Sequence, residues 1–160
     1  MSDAKKLAII ATKGSLDWAY PPFILASTAA ALGYETQIFF TFYGLQLLKK
    51  KLALEVTPLG NPGMPMPMGM EKWFPVMLTA LPGMQGMMTS MMKKKMKSKG
   101  VASLEELREL CQEAEVKLVA CQMTVDLFDM DSNEFIDGVE YAGAAAFFEF
   151  AGESDICLYI

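Results

Sequence analysis

Short, almost uninterrupted apolar runs recur along this chain, and all but the last are followed by a stretch long enough for a helix. The runs are KLAIIAT (Lys6 to Thr12), ETQIFFTF (Glu35 to Phe42), VKLVA (Val116 to Ala120) and ICLYI (Ile156 to Ile160). Runs of this kind mark strands buried on both faces. Strands that alternate with helices fold as a parallel sheet with helices on both sides. The expected class is therefore α/β, with a doubly wound, five-stranded parallel sheet. A weaker run at Leu54 to Pro58 supplies the remaining strand.

The connecting stretches carry helix punctuation. Lys13-Gly14-Ser15 reads as a turn with a helix cap, and Asp17 falls in the first turn. That helix runs to about Leu32, where Gly33 stops it. Tyr43 to Lys50 reads as a short helix. Ser103 and Glu106 form a capping box that opens a helix ending near Glu115. Val125 to Phe128 reads as a helix or turn before the polar loop DMDSNEF. Val139 to Ala151 reads as one apolar helix that Gly152 ends.

One region breaks the pattern. Eleven of the fourteen methionines lie between Met64 and Met96, with Pro62, Pro65, Pro67, Pro75 and Pro82 among or beside them. NPGMPMPMGM cannot be a regular helix. Glu71 to Leu81 and Gln85 to Lys97 read as short helices around the Pro82-Gly83 break. The chain is thus expected to be one domain over residues 1–160, with a Met-, Pro- and Lys-rich insertion at about 60–100.

At 160 residues and 52 % hydrophobic composition, the chain can bury a sizeable core and is not disordered as a whole. The formal charge is −5, which argues against a nucleic-acid partner. The cations cluster once, at Lys93, Lys94, Lys95, Lys97 and Lys99; without those five the charge is −10. The N-terminus lacks a signal-peptide h-region and cleavage site. No stretch reaches about 18 uninterrupted apolar residues, so no clear transmembrane helix is expected. The missing signal peptide implies a cytoplasmic protein with reduced thiols, one that the Met- and Lys-rich segment also allows to associate with a membrane.

In a parallel sheet, ligands sit beyond the carboxyl ends of the strands. Two loops qualify: Lys13-Gly14-Ser15, and Cys121-Gln122-Met123-Thr124. A thiol beside a helix N-terminus is favoured as thiolate, although Asp126 opposes this. The chain has no histidine, so no cysteine–histidine dyad exists. Cys121 reads equally as a nucleophile or as a small buried hydrophobe. Cys111, one turn from the end of its helix, reads as core filler or as a second reactive thiol. Cys157 lies within the terminal strand and reads as core.

Without CxxC or histidine, zinc lacks its usual ligands. The methionines suit Cu(I) but are also adaptable surface, so no metal is expected. The segment 64–99 reads as an interaction surface for protein or for an anionic membrane.

Taken together, KLAIIATKGSLDWAYPPFILASTAAALGYETQIFFTFYG, the Met- and Pro-rich middle, CQEAEVKLVACQMTVDLF and GVEYAGAAAFFEFAGESDICLYI resemble the DsrE/DsrF/DsrH-like sulfur-carrier family. The likeness is to its larger DsrE-type branch, also called peroxiredoxin-like. The resemblance implies a cofactor-free α/β domain that forms homo-oligomers, trimers or hexamers. It implies a sulfur carrier more than a turnover enzyme, with sulfane sulfur or thiosulfonate held on a cysteine and passed to TusA-like or rhodanese-like partners. Cys121 matches the carrier position and Cys111 the second cysteine. Lys13, Gly14, Ser15, Gln122, Met123 and Thr124 would surround the bound group. Two other functions compete: a peripheral membrane or scaffold protein acting through its Met/Lys-rich segment, and a thiol peroxidase. The peroxidase reading lacks a TxxC motif and an activating arginine, since Arg108 is the sole arginine.

Overall fold

A computed structural model describes residues 4–58 and 81–160. The NPGMPMPMGM opening and all but the last residue of the helix expected over 71–81 lie outside the described residues. The chain divides into two compact units. One comprises Met1–Gly14, Trp18–Leu52 and Ser103–Ile160; the other comprises Ser15–Asp17 and Ala53–Ala102.

The first unit holds the sheet. Its strands are β1 (Lys6–Ala11), β2 (Glu35–Phe40), β3 (Lys117–Cys121), β4 (Val139–Ala142) and β5 (Ile156–Tyr159). They lie in the order β4-β3-β2-β1-β5, and every neighbouring pair is parallel. The chain therefore winds outward from β1 through β4 on one side, then returns to place β5 on the other. The architecture is the expected parallel α/β sheet with helices.

One of the five strands differs in identity from the sequence expectation. Val139–Ala142 is a strand, and only Ala144–Ala151 is helical, as α5. Gly143 stands between them in extended conformation as the helix N-cap, so what looks like one apolar helix is a strand joined to a helix. The Leu54 to Pro58 run is not a strand. Its backbone groups find partners within the second unit instead. The Val56 N–H donates to Thr89 Oγ1 at 3.0 Å and its carbonyl accepts from Gln85 Nε2 at 2.9 Å. The Glu55 carbonyl accepts from Leu16 N at 2.8 Å. With its polar groups satisfied by side chains and a helix start, this segment needs no sheet neighbour.

Side chains alternate across the sheet, and the two faces are covered differently. On one face lie α1 (Leu16–Ala31) and α3 (Leu104–Glu113). There Phe23 packs on Phe40 with ring centroids 5.9 Å apart, beside fully buried Ile9, Ile38 and Leu118. Each such side chain contributes about 1.5–3 kcal/mol by leaving water. The capping box at Ser103 and Glu106 is formed, with Glu106 N–H donating to Ser103 Oγ at 3.2 Å and Ser103 N–H to Glu106 Oε2 at 2.6 Å. On the other face, Ala8, Phe39, Val119 and Cys121 pack against Phe147 of the eight-residue α5.

In the second unit, α2 (Met84–Ser98) turns Thr89 inward, while Met87 and Met91 remain about half exposed.

Candidate functional site at the carboxyl end of the sheet

The last residue of β3 is Cys121, and the chain enters α4 (Gln122–Leu127) without a loop. The helix starts three residues earlier than Val125, where the sequence pattern placed it. Cys121 is its N-cap, with φ −67° and ψ 110°, and the sulfur makes no capping hydrogen bond. Alternation along β3 sends that side chain to the α5 face, where it is only 4 % exposed. The thiol thus stands at the strand tip, as expected, but beneath cover.

Thr124 fixes α4 in place. It is completely buried, and its Oγ1 lies 3.1 Å from Thr41 Oγ1 at the end of β2. It also accepts the Phe42 N–H at 3.4 Å. Gln122 instead reaches along the exposed side of the helix and donates to Asp126 Oδ1 at 2.7 Å. Met123 points outward and is 62 % exposed.

The other expected loop stands apart from Cys121. β2 lies between β1 and β3 in the sheet, so Lys13 and Gly14 are two inter-strand spacings away, about 10 Å. The gap is filled by the 3-10 helix Phe42–Leu48, which folds over the end of β1. Gly44 N–H donates to the Thr12 carbonyl at 3.1 Å. A Cβ on Gly44 would collide with the Ala11 carbonyl, and one on Gly14 with the Tyr43 carbonyl; these two glycines permit the crossing. The Lys13 ammonium sits 3.2 Å from the centroid of the Trp18 ring, a cation–π contact. Ser15 belongs to the second unit, where its Oγ lies 3.2 Å from Thr57 Oγ1. Cys121, Gln122, Met123 and Thr124 are therefore grouped on one element, while Lys13 and Gly14 occupy another strand end.

Cys111 is on the opposite side of the sheet. It is fully buried on α3, and its Sγ donates to the Phe23 carbonyl at 3.4 Å. Burial pushes the thiol up to about 12. The sheet intervenes between the two sulfurs, which excludes a direct Cys111–Cys121 disulfide in this conformation. Cys157 is also displaced from expectation. It is exposed rather than core, and among the described residues β5 is an edge strand with β1 as its one neighbour.

Several residues at this end carried no recognised signal in the sequence. Arg108, buried on α3, donates through Nη1 to the Leu47 carbonyl at 3.0 Å and the Lys49 carbonyl at 2.7 Å. It thereby holds the end of the 3-10 helix; burial lowers its own pKa. Phe42, Tyr43 and Phe128 form an exposed aromatic group beside α4. Phe128 meets Phe42 edge-on at 6.2 Å and stacks with Tyr43 at 6.0 Å. Phe42 and Tyr43 in TFYG, immediately after a strand, are the one cue that could have found this group.

This arrangement has relatives. A sulfur carrier protein, DsrE2, from Allochromatium vinosum is 89 % identical over 158 residues, covering 99 % of each chain. The uncharacterized protein YrkE of Bacillus subtilis is 36 % identical over 162 residues, 98 % of this chain and 97 % of that one. The crystal structure of the E. coli YchN protein shares the fold at a TM-score of 0.59 and 12 % identity, covering 98 % of this chain and 99 % of that chain. Residues 3–159 match the DsrE/DsrF/DrsH-like family, and the chain belongs to it.

Proposed function

We propose that this protein is a sulfur carrier that holds sulfane sulfur covalently on Cys121 and passes it to partner thiols. The relative that is 89 % identical bears the name sulfur carrier protein. The observation that carries the assignment to Cys121 is its place: among the three cysteines it alone ends a strand at the carboxyl side of the sheet and begins a helix. Cys111 is locked behind α1 by burial and a hydrogen bond. Cys157 lies within the edge strand β5, level with Ala8 of β1.

In the loading step the Cys121 thiolate attacks the outer sulfur of a donor persulfide, R–S–SH. The donor S–S bond breaks, a new S–S bond forms on Cys121, and R–S⁻ leaves with the electron pair. The outer sulfur keeps its proton and no external redox agent is needed. With tetrathionate the same attack gives a Cys121 thiosulfonate and releases thiosulfate. Acceptors of TusA-like or rhodanese-like type would reverse the step in a reducing, cytoplasmic setting. Because Cys121 is covered, loading follows a local opening at the short α4 or α5. Helices of this length have little stability of their own, and local opening costs less than global unfolding. The homo-oligomer belongs to the same proposal; Phe148 (70 % exposed) and Tyr159 (73 %) are apolar surface it would cover, and sedimentation velocity reads it.

The test is intact-mass analysis after exposure to polysulfide or tetrathionate. It should use a Cys157→Ser background, because the exposed Cys157 also reacts. A mass gain of one sulfur atom or one thiosulfonate group is expected with Cys121 present. It should survive Cys111→Ser and vanish in Cys121→Ser. An adduct that persists without Cys121, or none on the parent, overturns the assignment.

A second reading is favoured by α2. Its exposed Met87 and Met91 precede the five lysines, and residues 81–102 contain no acidic side chain. Each lysine near an anionic leaflet contributes about 1 kcal/mol. Co-flotation with phosphatidylserine vesicles but not phosphatidylcholine vesicles, lost at high salt, would support a membrane-surface role. Equal recovery with both vesicle types would remove it.

A further inference from the structure

We propose that the groove beside α4 is where a partner protein docks, seated by one of its arginine or lysine side chains. The groove encloses about 280 Å³. That lies at the lower edge of the roughly 300–1,000 Å³ of small-molecule pockets and gives room for a single long side chain. Tyr43 and Phe128, whose rings stack on each other, are among its lining residues and are 66 % and 40 % exposed. Aromatic faces attract cations, and guanidinium groups most often.

The charges in the groove agree with this. Asp129, Glu134 and Lys49 line it. Lys49 pairs with Glu134 at 2.8 Å, and Asp129 forms no ion pair among the described residues. The uncompensated charge is negative. Lys50 and Lys51 follow on the chain but do not line the cavity.

The backbone gives an independent indication. Phe42 (φ 49°) and Asp129 (φ 48°) are left-handed, and each adjoins one of the two lining aromatic residues in sequence. An aspartate tolerates that region, whereas a phenylalanine is strained in it. Such strain collects where a ligand clamp is pre-formed. Exposed Met123 and Leu127 on α4 extend the apolar surface beyond the groove, so the cation arrives on a protein and not as a free amino acid.

The proposal rests on the sulfur-carrier reading only for what the docking achieves. Cys121 and Phe128 cap opposite ends of α4. At about 1.5 Å rise per residue they stand roughly 10 Å apart. A partner anchored at Phe128 therefore has its own thiol within reach of Cys121.

The experiment is an amide-shift titration of the full chain with N-acetyl-Gly-Arg-Gly-Arg-Gly-amide and with its glutamate counterpart. Saturable shifts at Tyr43, Phe128 and Asp129 are expected with the arginine peptide alone. The apparent Kd should rise about fivefold in Tyr43→Ala and in Asp129→Asn. Asparagine accepts the left-handed conformation, and the spectrum itself reports that each variant is folded. Equal shifts with both peptides, or unchanged affinity in Asp129→Asn, overturn the proposal. If dilution without peptide moves the same amides, a second copy of this chain is the occupant and the partner assignment falls. Neither peptide contains cysteine, so lost binding with intact Cys121 loading condemns the docking site alone. Intact binding with failed loading condemns the carrier reading alone.

Discussion

Cys111 and Cys121 lie ten residues apart in sequence and on opposite faces of one sheet, and the two faces treat a thiol differently. The α1/α3 face is thick: Phe23 and Phe40 are wholly buried, and Cys111 is 0 % exposed with its sulfur bonded to a backbone carbonyl. Among the described residues the α5 face is thin: one eight-residue helix covers Cys121 through Phe147. The same side chain is sealed within a layer of two helices on one face and lies beneath a single short helix on the other. Reactivity is set by what lies above the sulfur and how easily it moves, more than by the strand that delivers it.

The largest test of this difference is a pair of truncations. Phe23→Ala opens a cavity in the thick layer, where neighbours cannot collapse into it, and should cost about 3–5 kcal/mol. Phe147→Ala removes a ring from a short helix at the edge of a small cluster, and should fall well below that range. Urea denaturation of both variants measures it. Equal losses would mean that the two layers are equally rigid, and the proposed opening above Cys121 would lose its basis.

A pH series sharpens the comparison from the other side. The folded Cys111 pKa is raised to about 12, against roughly 8.5 in an unfolded chain. The folded state then holds its proton where the unfolded state has lost it. This contribution is fully present below about pH 8.5 and declines as pH rises toward 12. The slope approaches at most about 1.4 kcal/mol per pH unit. Urea midpoints at pH 8 and 10 should therefore fall further in the parent than in Cys111→Ala. Comparison with that variant cancels the lysine and tyrosine titrations common to both. Parallel declines would place Cys111 in a wetter setting than its burial indicates.

The sheet itself was legible because strands buried on both faces leave continuous apolar runs, and four of the five strands announced themselves this way. Val139–Ala142 did not, because Val-Glu-Tyr-Ala flows into the alanines of α5 and only Gly143 marks the join. Leu54 and Val56 misled for the converse reason: both are buried, but in a segment tied to Gln85 and Thr89. Periodicity reports burial, not the element doing the burying. At the site, the position of Cys121 was readable from the strand-to-helix junction. Its cover was not, since Phe147 lies 26 residues further on and only the fold brings it there. Cys157 illustrates the same limit: ICLYI reads as interior, and its exposure follows from strand order, which no local pattern encodes.

The smallest effect concerns the joint that holds α4 down. Thr124 and Thr41 share a hydrogen bond at 3.1 Å, and the Phe42 N–H adds a longer one. Thr124→Val keeps the shape and removes the acceptor. Thr41 Oγ1 and the Phe42 N–H are then left short of a partner, at a cost of about 1–2 kcal/mol. That loss should be local to α4 and not shared with α1 and α3. Iodoacetamide labelling of Cys121, followed by peptide mass analysis, should quicken by several-fold in Thr124→Val at a denaturant concentration where Cys111 remains unlabelled. A matched rise at Cys111 would mean that the substitution loosens the whole unit. Unchanged labelling at both sites would mean that α4 is not the element that moves, leaving the Phe147 side of α5 as the route to the sulfur.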